Sequence, residues 1–158
     1  MKVEQLMTKA VATCGTGDTL NDAAGIMWER DCGVVPIVED AMSRRLVGIL
    51  TDRDVCMAAY TKGRALSQIR VQDVMSTAIR SCRPGMDVAE VEGLMRRAQV
   101  HRLPVVDDAD QLLGVISLAD IAREAAREAG SLRKEVTVAE IGETVAAISQ
   151  PREIAIGA

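Results

Sequence analysis

A shift of 68 residues lays the first half of this chain on its second half: Met7 on Met75, Cys14 on Cys82, Gly17 on Gly85, Met27 on Met95, Pro36 on Pro104, Val38 on Val106 and Asp40 on Asp108. Beyond two extra residues near positions 43–45 the shift becomes 66, and Leu46 falls on Leu112, Gly48 on Gly114, Thr51 on Ser117, Asp54 on Asp120 and Ala59 on Ala125. One two-residue loop insertion accounts for the change of register. The chain therefore reads as a duplicated unit, and whatever the unit folds into must be built twice.

Each copy carries the same local signals. Thr19 with Asp22, and Asp87 with Glu90, have the spacing of a capping box at a helix start. Behind them Leu20, Ala23, Ala24 and Met27 share one helical face, as do Val88, Val91, Leu94, Met95 and Ala98. Two short apolar runs follow across a charged turn, at 34–38 and 46–50, and again at 103–106 and 112–116, which predicts a strand pair. A second helix is expected from Asp52 to about residue 61 and from Leu118 to about residue 129, and an extended segment near 10–13 and 78–81 opens each copy. The predicted order is strand, helix, strand, strand, helix, twice.

Composition removes several function classes. With two aromatics, Trp28 and Tyr60, the chain lacks the stacked rings that hold single-stranded nucleic acid. Its 23 acidic and 19 basic side chains give a net charge of -4, without the basic footprint of a duplex binder, so no nucleic-acid partner is expected. The longest stretch free of Asp, Glu, Lys and Arg, 111–119, is far short of the roughly 20 apolar residues of a spanning helix. No membrane insertion is expected, and no apolar leader opens the sequence, so the expected compartment is the cytoplasm. The four cysteines lie apart without a CxxC pair and read as reduced, mostly buried small hydrophobes. His101 is the single histidine, which excludes a multi-histidine metal site within one chain and leaves any Cys–His catalytic pair to spatial coincidence. Neither a Gly-x-x-x-x-Gly-Lys phosphate loop nor a Gly-x-Ser-x-Gly elbow is present. An enzyme is not expected.

The duplicated segments resemble a known family. Val-x-x-Leu-Met (3–7) and Val-x-x-Val-Met (71–75), Val35-Pro36-Ile37-Val38 and Leu103-Pro104-Val105-Val106, and above all GILTDRD (48–54) and GVISLAD (114–120), make each unit similar to a CBS (cystathionine β-synthase) domain and the pair similar to a Bateman module. The resemblance covers about residues 1–130. It implies an α/β (α+β) fold of two β-α-β-β-α repeats packed through their sheets about a pseudo-two-fold axis, with repeats at 1–67 and 68–130.

Thr-x-x-Asp at a strand-to-helix junction has two readings. A helix N-terminus attracts anions, and a hydroxyl there shares a phosphate with the backbone. An aspartate one turn on offers two acceptor oxygens to a ribose diol. The other reading makes Thr51 and Ser117 N-caps and the aspartates first-turn dipole partners. The resemblance implies the ligand roles, with Thr51 and Ser117 near phosphate, Asp54 and Asp120 on ribose, and Val35-Pro36 and Leu103-Pro104 walling the adenine; plain core packing is the alternative for these last four. Arg53 has Ala119 as its counterpart, and His101-Arg102 has Gly33-Val34, so the two sites differ chemically. The Arg102 fork suits phosphate oxygens.

The expected function is a regulatory module that requires no cofactor, takes AMP, ADP, ATP, NAD or S-adenosylmethionine as ligand, and acts in trans on a separate regulated protein. A ligand-free structural or interaction module is the alternative. The resemblance also implies a disc-shaped homodimer formed through helices, and Trp28, where the second copy has Arg96, is the candidate interface anchor. Residues 131–158 lie outside both copies. A shift of 67 sets 71–75 on 138–142, Cys82 on Ser149 and Pro84 on Pro151, so this extension resembles the opening of a third repeat. A docked extended segment at 143–149 is preferred over a helix with Val138, Ile141, Val145 and Ile148 on one stripe, because Gly142 would sit inside it. A loose end is expected at 154–158.

Overall fold

A computed structural model describes residues 1–130 and 135–151 of the chain. The elements run α1 (Val3–Leu6), β1 (Cys14–Gly15), α2 (Leu20–Glu29), β2 (Val34–Val38), β3 (Leu46–Thr51), α3 (Asp52–Lys62), two single 3-10 turns, α4 (Val88–Ala98), β4 (Arg102–Val106), β5 (Leu112–Ser117), α5 (Leu118–Glu128) and α6 (Val138–Ile148). The class is α+β, and the helices and strand pairs fall where the repeat predicts them. The opening strand of each copy is shorter and later than expected: β1 has two residues, and its counterpart is the single bridge Cys82↔Val105.

Two compact units form. One gathers residues 9–81 and 106–114, the other 1–8, 82–105 and the described residues from 115 on. In the first, β1 pairs parallel to β2 through Cys14↔Ile37, and β2 pairs antiparallel to β3 through Val35↔Leu50, with a bulge at Ile37/Val38. Thr19 caps α2: its hydroxyl accepts from the Asp22 N–H at 3.3 Å, while Asp22 Oδ2 accepts from the Thr19 N–H at 2.8 Å. This box turns Leu20, Ala23 and Met27 inward onto Val35, Ile37 and Leu50. Full burial of each such aliphatic side chain stabilises by about 1.5–3 kcal/mol. Gly63, at φ 58°, ends α3 in the left-handed conformation that glycine adopts without a Cβ penalty.

In the second unit Val88, Val91 and Met95 of α4 pack with Leu103, Ile116 and Ile121. The opening segments are exchanged reciprocally. Thr8, near the start of the first copy, bridges Val115 of β5, and Ser76, near the start of the second, bridges Ile49 of β3. Lys2↔Asp87 and Arg70↔Thr19 repeat the same exchange. The compact units therefore cut across the sequence repeats.

The expected extended segment at 143–149 is instead helical, within α6. Thr137 and Glu140 form a capping box that outweighs the cost of about 1 kcal/mol for Gly142 in the helix interior. The inward stripe is half-buried Ile141 with buried Thr144 and Ile148, while Val138 and Val145 are exposed, and Thr144 is held on α4 by hydrogen bonds. The loose end expected at 154–158 lies outside the described residues.

Candidate functional site

Thr51 ends β3 and caps α3, so one residue fixes both the strand end and the helix start. Its hydroxyl accepts from the Asp54 N–H at 3.2 Å, and Asp54 Oδ2 accepts from the Thr51 N–H at 2.9 Å and the hydroxyl at 2.7 Å. Ser117 and Asp120 reproduce this box at the head of α5, at 2.8, 2.6 and 3.2 Å. The capping reading of Thr-x-x-Asp is thus realised at both junctions. The motif caps the helix with a single carboxylate oxygen and leaves the other for further use.

The second oxygens differ. Asp54 Oδ1 has no partner among the described residues, whereas Asp120 Oδ1 is ion-paired with Arg123. Arg123 stands where the first copy has Met57 and was not singled out from the sequence; its signal is an Asp-x-x-Arg spacing, one helical turn, in the second copy alone.

The free N–H groups at the two helix starts differ as well. In both copies the first is taken by backbone: Asp52 N–H donates to Gly33 O at 3.2 Å and Leu118 N–H to His101 O at 2.8 Å. The second is taken in α3 only, where Arg53 N–H donates to Asp52 Oδ1 at 2.7 Å; its counterpart, the exposed residue Ala119, has no N–H partner among the described residues.

The remaining predicted residues divide by exposure. His101, Arg102 and Arg53 are exposed, and the His101 carbonyl, bonded to Leu118, holds the first two beside the Ser117 junction. Val35, Pro36, Leu103 and Pro104 are buried, with Val35 and Leu103 inside the two cores and the Pro104 carbonyl accepting from Cys82 N–H at 2.9 Å. They set the strand that backs each junction and present little side-chain surface outward. A separate cavity of about 170 Å³, lined by Leu46, Ile79, Ser81, Val106 and Asp110, contains none of the predicted residues. It is smaller than the roughly 300–1,000 Å³ of ordinary ligand pockets.

Cys14 and Cys82 are buried, and burial pushes both thiols up to about 11, with Asp18 and Asp22 adding to the rise at Cys14. Neither is a thiolate near neutrality. Cys32 is half-buried and Cys56 exposed, so only two of the four are core residues. Among the described residues no group of three or more His, Cys, Asp or Glu is placed to hold a metal ion, and no helix is long and apolar enough to cross a membrane.

The family model for the CBS domain matches twice, at residues 3–60 and 71–127. The CBS domain-containing protein YhcV of Bacillus subtilis is 38% identical over 120 residues, covering 76% of this chain and 82% of YhcV. Two solved structures share the fold. The CBS domain pair of protein MJ0100, in complex with 5-methylthioadenosine and S-adenosyl-L-methionine, has a TM-score of 0.69 at 24% identity, over 78% of this chain and 94% of that one. CBSX2 in complex with AMP has a TM-score of 0.69 at 22% identity, over 80% and 96%. A CBS pair of this kind is a module and not an enzyme. With both repeats matched in register and a relative this similar over most of both chains, this protein belongs to the CBS domain family, as a tandem pair of CBS domains.

Proposed function

We propose that this chain is a regulatory module that binds an adenine nucleotide or adenosyl ligand at its Thr51–Asp54 and Ser117–Asp120 junctions and passes occupancy in trans to a partner protein, as a cytoplasmic homodimer. The observation that carries the reading is the second carboxylate oxygen that each capping box leaves out of the cap, unpartnered at Asp54 and paired with Arg123 at Asp120, an acceptor suited to a ribose diol and built twice at a helix N-terminus. That CBS pairs of the same fold are found with S-adenosyl-L-methionine, 5-methylthioadenosine and AMP supports the ligand class. The burial of Val35, Pro36, Leu103 and Pro104 favours the second reading, a ligand-free interaction module, because it leaves the adenine only backbone and neighbouring side chains to rest on.

Thermal melting with AMP, ADP, ATP, NAD and S-adenosylmethionine separates the two. A ligand at 100 times its dissociation constant stabilises by about 2.7 kcal/mol. For a chain of this length that raises the melting temperature by roughly 5–10 °C. If none of the five moves the midpoint, the interaction-module reading replaces this one.

A further inference from the structure

The capping boxes of α3 and α5 match bond for bond, but the carboxylates that close them have different capacities left. A carboxylate offers about four lone-pair sites. In each box Oδ2 fills its two, accepting from the N–H and the hydroxyl of Thr51 or Ser117. Asp54 Oδ1 has no partner among the described residues, so both of its sites stand open for the two hydroxyls of a ribose. Asp120 Oδ1 is ion-paired with Arg123, which leaves room for a single hydroxyl. Met57 stands where Arg123 does in the other copy.

Within the Asp120–Arg123 pair the carboxylate side chain is 11% exposed and the Arg123 side chain 72% exposed, so an approaching ligand meets the cation first. The other carboxylates of α5 leave it open: Glu124 is paired with Arg127, and Glu128 accepts from the N–H groups of Glu135 and Val136. Arg123 therefore keeps N–H donors with no partner among the described residues. An exposed pair one turn apart contributes little stability by itself. Its consequence lies in what Asp120 can still accept.

A ribose with one of its two hydroxyls phosphorylated meets both conditions. The remaining hydroxyl donates to the last site on Asp120, and the phosphate oxygens take the outward donors of Arg123, whose planar fork matches them. The guanidinium then lies between two anions and offsets their repulsion. Dinucleotide sites follow the same logic, with an acidic residue for a free 2′-hydroxyl and a nearby Arg for a 2′-phosphate. Arg102, exposed beside Ser117, and the Ala119 N–H remain for a 5′-phosphate. At the first junction the same ring phosphate would meet the charge of Asp54 with Met57 in place of the cation.

We propose that Arg123 makes the second junction a site for an adenosine ligand phosphorylated on its ribose ring, at the 2′- or the 3′-oxygen, while the first junction takes the unmodified diol. The proposal rests on the adenosine reading above and names the ligand class of one of its two sites.

The test is calorimetry of the full chain with AMP, ADP, adenosine 2′,5′-bisphosphate and adenosine 3′,5′-bisphosphate, with Asp120→Ala and Asp54→Ala assigning each isotherm to its junction. One bisphosphate should bind the second junction about tenfold tighter than AMP, and which of the two does so identifies the phosphorylated oxygen. ADP carries its second phosphate on the 5′ chain and should lack the gain. Arg123→Met installs the residue of the first copy and should abolish the preference, whereas loss of a merely structural ion pair would lower all the affinities together and leave their ratios unchanged. Met57→Arg should confer the preference on the first junction, which keeps the inference open to refutation even where Arg123→Met does not fold. If none of the four ligands binds, the adenosine reading falls and this inference with it. If AMP binds the second junction and neither bisphosphate exceeds it, or ADP gains as much, this inference alone falls. A preference that survives Arg123→Met, or that Met57→Arg fails to confer, overturns the role of Arg123.

Discussion

Asp54 and Asp120 each serve the helix with one oxygen and the surroundings with the other, so replacing either removes two things at once. Asp54→Ala should cost α3 its capping box, about 0.5–2 kcal/mol of stability, and should weaken ligand binding at that junction by about 1.5–3 kcal/mol, since a charged acceptor is lost. Calorimetry and melting read the two losses separately, and a variant that loses stability while keeping affinity reduces the carboxylate to a cap. Thr51, Asp54, Ser117 and Asp120 were legible in the sequence because a capping box is a local device fixed by a three-residue spacing. Arg123 was not, because its partner falls outside the repeated motif and Met57 in the other copy hides the position from any comparison of the two. Nor could spacing decide that Val35 and Leu103 face the cores, since β2 is buried along its whole length and β4 from Leu103 on, which leaves no alternation to read.

At the scale of elements, strand and helix limits followed from apolar runs and caps, whereas the exchanged opening segments did not, because their pairing joins residues some 27 to 107 positions apart. The exchange makes Gly48 a test of packing. A Cβ there overlaps the side chain of Met75, with the Met75 Cβ itself at 3.3 Å, so Gly48→Ala should destabilise by about 1–3 kcal/mol in a urea melt. An unchanged midpoint would mean that Met75 moves aside freely. The misjudged α6 has a similar lesson. Thr137 and Glu140 close a capping box like those of α2, α3 and α5, a local device that the comparison of 138–142 with 71–75 does not bring out, and it outweighs the glycine in the interior. The seam that α6 makes is pH-sensitive in a definite direction. Burial raises the Glu92 carboxyl above the ordinary glutamate range, with Glu140 adding to the rise and Thr144 and Arg96 opposing it. The folded state then holds a proton that the unfolded state has released, so stability falls as pH rises from about 4.5 through the raised value. Glu92→Gln should remove that fall: the stability difference, variant minus wild type, grows across this window and is flat above it. A difference that does not change with pH would show that Glu92 is ionised in the folded protein throughout.

For the molecule as a whole, duplication supplied two junctions of one design, and later substitutions have given them opposite electrostatic character. Around Thr51 stand Asp52 and Asp54 with Arg53, and the second N–H of α3 is already bonded to Asp52. Around Ser117 stand Arg102, Arg123 and His101 with Asp120, and the Ala119 N–H has no partner among the described residues. A phosphate gains a helix donor and two guanidinium groups at the second junction, while at the first it meets two carboxylates, the single guanidinium of Arg53 and no open helix donor among the described residues. Conversely, a ribose diol finds Asp54 Oδ1 open but must displace Arg123 from Asp120. AMP should therefore prefer the second junction and adenosine the first, and raising salt should weaken AMP binding far more than adenosine binding, because these groups are exposed to screening. Asp120→Ala and Asp54→Ala assign the two isotherms. Asp52→Ala, which frees the Arg53 N–H and deletes a repelling charge, should tighten AMP at the first junction by about 1–1.5 kcal/mol, roughly tenfold. Two indistinguishable sites for both ligands, in wild type and in Asp52→Ala alike, would show that the junctions are read through backbone geometry, which the repeats share, and not through the charges that distinguish them.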